Sequence, residues 1–410
     1  MAFALSATAP VSLATPFEKR VAQGFAWALF ATLWLKLAVA VMLTQPVIDA
    51  EGESIYNRLA DAMLLGVMFA GIGTYADAIL QRAPLILVAV PIGLASFLTT
   101  EALTGLNFST AVFEYFKIVT PPLLSVLLLR LYERETALVI RLMQITLVLI
   151  WVMVVFALVV MPPSLNRGGE PFWPVYFASL HTSSYLVVVC AALSLFLFEA
   201  GHLSRRLFIA QLLFSLLLVF YGWGVRTSMV AAVAFGAVVM LQRMRMAPVV
   251  MFVGFAGLLT LAFVPLLFGL IHLPSWDELV EVTSGRFSMW LQKIDILANS
   301  TLLEWMFGHG EGSDWIVSEV WWWSAKDSHN DFIRLLNQQG VLGLGMVLAI
   351  LAVWAAAFPP GVALPLLAAL GASTAFSNGI MFRPQASLLM PLALVAATAA
   401  WQRISGEGAR

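Results

Sequence analysis

Asp327-Ser328-His329-Asn330-Asp331 is a polar cluster built around one imidazole, set just before the apolar run that begins at Phe332. In such a setting a polar group must reach water or find a partner. An imidazole titrates near neutrality, so His329 has the chemistry of a general base toward a hydroxyl. The plainer reading is an interfacial histidine that hydrogen-bonds a loop. Asp327 and Asp331 are placed to orient the ring, and Asn330 to bind an acceptor hydroxyl.

Guanidinium groups form the second candidate set. Arg226 follows Gly222-Trp223-Gly224-Val225 and precedes Thr227-Ser228, a pattern that opens a helix. Arg286 follows Ser284-Gly285. Both suit phosphate, because the planar fork is permanently charged and bidentate; a snorkelling or solvated arginine is the simpler alternative. Arg334, Arg383 and Lys117 are possible additional ligands. Glu114 and Lys117 lie three apart, close enough to pair on one helix face, either as a functional pair or as a structural one. Lys36 is another charge inside an apolar run. His309 sits in the glycine-rich stretch Phe307-Gly308-His309-Gly310, which lacks the Lys-Ser/Thr of a phosphate-binding loop. The five histidines show no metal-ligand spacing, so no metal is expected. The single Cys190 excludes an intrachain disulfide.

The chain that must position these groups is 61% hydrophobic and 11% charged over 410 residues. Soluble domains carry about 25% charged residues, so the composition implies an all-α, polytopic integral membrane protein. Apolar runs long enough to span lie near 24–46, 59–80, 83–101, 109–130, 139–161, 180–199, 206–222, 226–242, 248–272, 333–355, 358–377 and 384–401, about 12 helices in one membrane domain, 1–410. The N-terminal stretch lacks the order of a cleaved signal, so the first run is expected to act as a signal-anchor. With both termini placed in the cytoplasm, twelve of the 22 Lys and Arg fall inside, eight outside and two within spans. Net charge is −1, which gives no basic surface for nucleic acid. Residues 273–331 form one long outer loop expected to cap a membrane-facing cavity. Phe287, Trp290, Leu291 and Ile294 recur in it at helical spacing. Trp315 and Trp321-Trp322-Trp323 read as an interfacial anchor or as a stacking surface for the acceptor.

Ser328-His329-Asn330-Asp331-Phe332, nine residues between Asn330 and Gly340, and Gly340-Val341-Leu342-Gly343 together resemble the signature of the bacterial O-antigen ligase and O-antigen polymerase superfamily. Ser284-Gly285-Arg286, Phe307-Gly308-His309-Gly310 and Gly224-Val225-Arg226-Thr227-Ser228 are similar to further elements of that family, in the same order. The resemblance covers roughly residues 180–355; the first half matches in hydropathy alone. It implies a GT-C-like glycosyltransferase of the bacterial inner membrane with its active site facing the periplasm. The implied donor is a glycan on undecaprenyl diphosphate, and the acceptor is lipid A–core for a ligase in lipopolysaccharide biosynthesis. A repeat-unit polymerase for O-antigen, capsule or exopolysaccharide would use a lipid-linked glycan, and a protein O-oligosaccharyltransferase would use a protein. By the family pattern Arg226 and Arg286 hold the diphosphate and His329 activates the acceptor, with inversion, no cofactor and no metal. A lipid-glycan flippase or secondary transporter is the reading of another class; it calls for inverted repeats, and no internal repeat is visible.

Overall fold

The computed structural model describes residues 15–42, 55–105, 107–161, 164–165, 171–174, 180–244, 275, 285–318 and 325–407. Helices account for nearly all of the described chain. They are α1 (Pro16–Met42), α2 (Ile55–Thr74), α3 (Ala76–Arg82), α4 (Pro84–Thr104), α5 (Phe108–Arg134), α6 (Thr136–Val160), α7 (Leu180–Glu199), α8 (Arg205–Leu216) and α9 (Arg226–Arg243). Then follow α10 (Arg286–Ala298), α11 (Leu302–Phe307), α12 (Asp331–Ala356), α13 (Pro360–Phe376), α14 (Pro384–Ser387) and α15 (Met390–Glu407). Among the described residues the strand content is one two-residue antiparallel pairing, Ser164–Leu165 with Pro171–Phe172.

Eight segments are long and apolar enough to cross a membrane: Pro16–Val39, Pro84–Thr104, Phe108–Arg134, Thr136–Val160, Leu180–Glu199, Arg205–Gly222, Asp331–Ala356 and Pro384–Gly406. The chain is therefore an all-α polytopic membrane protein. Three more of the expected runs are helical but shorter or more polar than a full span, namely α2, α9 and the 17-residue α13. The run expected over 59–80 breaks at Tyr75, where α3 starts. The run at 248–272, the N-terminal stretch before residue 15 and Trp321-Trp322-Trp323 lie outside the described residues.

Local chemistry sets several helix ends. Asn107 caps α5 by accepting from the Thr110 amide (3.3 Å), and Gly105 closes α4 in the left-handed region that glycine tolerates. Helices α5, α7 and α15 are buried along most of their length, whereas α4, α6 and α8 turn one face outward. Exposed Val148, Val152, Val155 and Val159 form such an outward stripe on α6. That is the pattern expected where lipid replaces water as solvent.

One end of the bundle collects basic residues and both ends of the described chain. Arg134 meets Glu18 (3.7 Å), Gln23 donates to Glu135 (3.0 Å) and Tyr132 donates to Gln402 (3.4 Å). Arg243 pairs with Glu199, and Arg403 donates to the Glu199 carbonyl. The opposite end carries the loop helices α10 and α11 and the start of α12.

Candidate active site

Helix α12 begins at the polar cluster because Asn330 caps it. Its side-chain oxygen accepts from the Phe332 and Ile333 amides (3.0 and 3.1 Å), and its nitrogen donates to the Ala375 carbonyl (2.8 Å). The side chain expected to bind an acceptor hydroxyl is thus engaged at both ends as an N-cap. Asp331 is fully buried and accepts from the Gly379 amide (2.8 Å). It faces the α13–α14 connection, which corrects its expected part in orienting His329.

Asp327 does contact the imidazole. His329 Nδ1 lies 3.1 Å from Asp327 Oδ1, and Asn378 donates to the other carboxylate oxygen. His329 has φ 45°, a left-handed backbone rare outside glycine. Such strain costs of order 1–3 kcal/mol and persists where surrounding contacts over-determine it. Here they do. Ser328, the residue before, is fixed at three points: its amide donates to Asp314 Oδ2 (2.7 Å), its hydroxyl to Asp314 Oδ1 (2.5 Å), and its carbonyl accepts from Trp290 Nε1 (2.6 Å). Lys293 completes the clamp, 2.8 Å from Asp314 Oδ1 and 3.1 Å from the Ser328 hydroxyl.

This clamp explains the face that α10 buries. The helix forms where hydrophobic spacing predicts, but Leu291 and Ile294 are exposed, and Met289, Lys293 and Leu297 point inward. A buried lysine–aspartate pair draws Lys293 into the core, so a charged residue occupies a core position that apolar periodicity cannot reveal. The paired bridge of Ile316 with Lys326 brings Asp314 back beside Ser328.

The electrostatics follow from this enclosure. Burial pushes the His329 imidazole down to about 4, Asp327 opposes that, and Arg286, Arg383 and Lys293 push it further down. At neutral pH the ring is uncharged, so its contact with Asp327 is a hydrogen bond from Nδ1–H rather than an ion pair, and Nε2 is the basic nitrogen. Burial works to raise Asp327, but His329, Asn378, Arg334 and Lys293 together hold it below the usual carboxylate range.

The cations around the ring are therefore Arg286 and Arg383, with Lys293 behind. Arg286 donates to the Phe376 carbonyl (3.2 Å) and Arg383 to the Asn378 carbonyl (3.5 Å). Arg226 stands exposed at the start of α9, and Arg383 joins Arg286 beside the ring. Arg226 is still at the same end of the bundle. Its neighbour Thr227 accepts from the Tyr185 hydroxyl (2.8 Å), and Tyr185 also reaches Ser377.

Arg334 and Lys117 are committed elsewhere. Arg334 lies 3.1 Å from both Glu114 and Glu311 and stacks over the Phe382 ring (4.7 Å), while Lys117 lies 2.5 Å from Glu114. These two cations serve an internal ion network rather than a phosphate. Lys36 has a partner too, Asp61 at 2.6 Å. His309 contacts the Ser300 hydroxyl (3.0 Å) and the Asn337 carbonyl (3.2 Å), so its glycine-rich turn is pinned.

Gly340 and Gly308 explain each other. Gly340 kinks α12 at φ 65°, and a Cβ there would strike the Met306 carbonyl and the Gly308 amide. A Cβ on Gly308 would strike the Gln338 backbone. Two chains therefore meet backbone to backbone, and the amides of His309 and Gly310 take up the Asn337 and Gln338 carbonyls (2.8 and 3.0 Å). Gly340 thus lets α12 pack closely against the loop.

Two parts of the site escaped the sequence reading. The segment 375–379 receives Asn330, Asp327, Asp331, Arg286 and Arg383, largely through its backbone atoms. His181, at the start of α7, is under the electrostatic influence of Arg383, Arg286, His329 and Asp327, and its Nδ1 is buried with no hydrogen-bond partner. The available signal was the polar run His181-Thr182-Ser183-Ser184 opening an apolar helix. Buried Asp331 Oδ1 and Asn378 Oδ1 also lack partners, which is unusual enough to require a reason. Among the described residues no group of three or more His, Cys, Asp and Glu is arranged to hold a metal. No family model, no curated protein and no solved structure matches the chain.

Proposed function

We propose that this chain is a membrane glycosyltransferase of the O-antigen ligase and polymerase type, moving a glycan from a polyprenyl diphosphate to a hydroxyl acceptor at the periplasmic face of the inner membrane. The observation that carries the reading is the pair of buried Asp327 with partly exposed His329, and Arg286 and Arg383 beside it, at the end of a bundle of apolar helices. A base and two guanidiniums suit inverting displacement from a diphosphate.

The neutral imidazole takes the acceptor proton on Nε2 as the acceptor oxygen forms its bond to the anomeric carbon. The bond from that carbon to the diphosphate oxygen breaks, and the electron pair leaves with the diphosphate. Asp327 stabilises the imidazolium that results. Arg286 and Arg383, with Arg226 at the same end, offset the charge that builds on the leaving group, typically the largest single contribution to such catalysis. The orphaned His181 Nδ1, Asp331 Oδ1 and Asn378 Oδ1 are suited to hydroxyl partners.

Lipid A–core as acceptor makes the protein a ligase; a lipid-linked glycan makes it a polymerase. The buried charges that a transporter would use are already paired with one another, Lys36 with Asp61 and Lys117 with Glu114, which favours transfer over transport. The test is glycan transfer by the purified protein in liposomes from undecaprenyl-diphosphate glycan, with and without lipid A–core. His329→Ala should lose about 10²–10⁴-fold in turnover, the usual worth of a general base. Unchanged turnover in that variant removes His329 from the mechanism.

A further inference from the structure

Glu311 is a buried carboxylate outside the Asp327–His329 pair, and it ties the outer loop to three helices. Its amide donates to Glu101 Oε1 of α4 (2.8 Å), and its side chain lies 3.1 Å from Arg334 of α12. Arg334 in turn lies 3.1 Å from Glu114 of α5, which Lys117 also meets. The Thr100 hydroxyl of α4 donates to the Phe307 carbonyl (2.6 Å) a few residues ahead. Gly310 and Gly312 on either side of Glu311 have φ 88° and 94°, so the backbone there has little preference of its own and contacts must set its course. From this seat the chain turns directly into the clamp. The Ser313 amide and hydroxyl both donate to the Gly310 carbonyl (3.2 and 2.7 Å), and Asp314 follows. Asp314 holds Ser328, and Ser328 precedes the left-handed His329.

As a stabiliser the Glu311 carboxyl is a poor choice. Three carboxyl groups, Glu101, Glu114 and Glu311, share the cations Arg334 and Lys117. Burial pushes Glu311 up to about 7; Arg334 opposes that, and Glu114 and Glu101 add to it. A buried charge so incompletely offset contributes little net stability, whereas its directional contact with a guanidinium fixes position. We propose that Glu311 is a positioning residue of the site: paired with Arg334 it seats the turn 310–314 on α4, α5 and α12, and the seated turn delivers Asp314 to Ser328 and so fixes His329. That the imidazole so placed acts in glycan transfer rests on the reading above.

Hydrogen exchange of the full chain in lipid nanodiscs tests the seat without any reaction. In Glu311→Ala the amides of 312–315 and of 328–330 should exchange about tenfold faster, the scale of one lost charged hydrogen bond. Those of α7 and α15 should stay unchanged. Arg334→Lys, which lacks the fork to span Glu114 and Glu311, should do the same, and combining the two changes should add little because both break one contact. Transfer assays add a second readout. In Glu311→Ala kcat should fall about tenfold at unchanged donor KM, because the base is misplaced and the diphosphate clamps are not. The acid limb should rise from about 4 toward 6.5, because a loosened loop lets water reach the ring. A residue that only stabilised the fold would lower the unfolding temperature and leave the limb and the exchange at Ser328 where they are. That result, or additive effects of the two variants, overturns the proposal. If Glu311→Ala does not fold, Glu311→Gln keeps the volume and removes the charge; smaller changes of the same sign at the same amides are expected, and their absence counts equally against it. Faster exchange at Ser328 in Glu311→Ala, when the wild type transfers no glycan, overturns the transferase reading and leaves the positioning role standing.

Discussion

His329 holds a left-handed backbone with its Nδ1 3.1 Å from Asp327 Oδ1. The imidazole is favoured neutral in the folded protein, at about 4 against an ordinary value near 6.5. A depressed histidine stabilises the fold fully above 6.5, and that contribution fades as pH falls from 6.5 through 4. Under the proposed function the same shift sets the catalytic limb. The acid limb of kcat/KM, which reports the free enzyme, should fall near pH 4 rather than near 6.5. A pH–rate profile in liposomes measures this, and an inflection at 6.5 would detach the base from His329. Asp327→Asn removes the charge that favours the imidazolium, so its kcat should fall by about 10²-fold or more. The acid limb should move lower still, because Asp327 raises His329. A purely structural role for Asp327 would lower kcat without moving the limb. These two residues were legible from spacing alone. Asn330 was legible as well, since an asparagine before an apolar helical run is a cap signal, but a binding role was read in its place.

Helix α12 and the loop that meets it are coupled through Gly340. Gly340→Ala would place a side chain at φ 65° and against the Met306 carbonyl. The left-handed penalty alone is about 1–2 kcal/mol, so a clear drop in unfolding temperature is expected by scanning fluorimetry in detergent. Gly345→Ala in the same helix meets nothing within 4 Å and should be neutral or gain up to about 1 kcal/mol of helix propensity. Equal effects of the two changes would mean that the backbone contact with the loop is unimportant. The buried Lys293–Asp314 pair permits a similar comparison. Removing one partner strands a charge and costs about 3–5 kcal/mol, whereas replacing both with apolar residues costs far less. Either change frees Ser328, so activity should fall in both while stability separates them. The helices themselves were readable because hydropathy fixes them. The inward face of α10 was not, because its core position is a lysine whose partner lies 21 residues away. The 375–379 hub was not legible either: its contributions come mostly from carbonyls and an amide, which every sequence contains.

At the scale of the whole molecule, the site and the cluster of helix-end arginines lie at opposite ends. Helix α5 carries Glu114 of the Arg334 network near its start and Arg134, which meets Glu18, at its end. Helix α15 leaves the site end from Arg383 and brings Gln402 to Tyr132 at the far end. The Arg-rich end, with Arg130, Arg134, Arg205, Arg206, Arg243 and Arg403, is the one that the positive-inside rule assigns to the cytoplasm. Under the proposed function, His329 at the opposite end would face the other compartment. Cys190 is the single thiol of the chain and is buried, so introduced cysteines can be read against a silent background. Leu302→Cys, on the most exposed residue of α11, should react with a membrane-impermeant maleimide on intact spheroplast-free cells whose outer membrane has been opened. Arg206→Cys should react only after the inner membrane is also broken, because it shares the basic end with Arg243 and Arg403. Both variants keep the clamp around Ser328 untouched, so the labelling reports topology rather than folding. If Leu302→Cys and Arg206→Cys label from the same side, the His329 site and the basic end share a compartment, and the separation on which periplasmic transfer depends is lost.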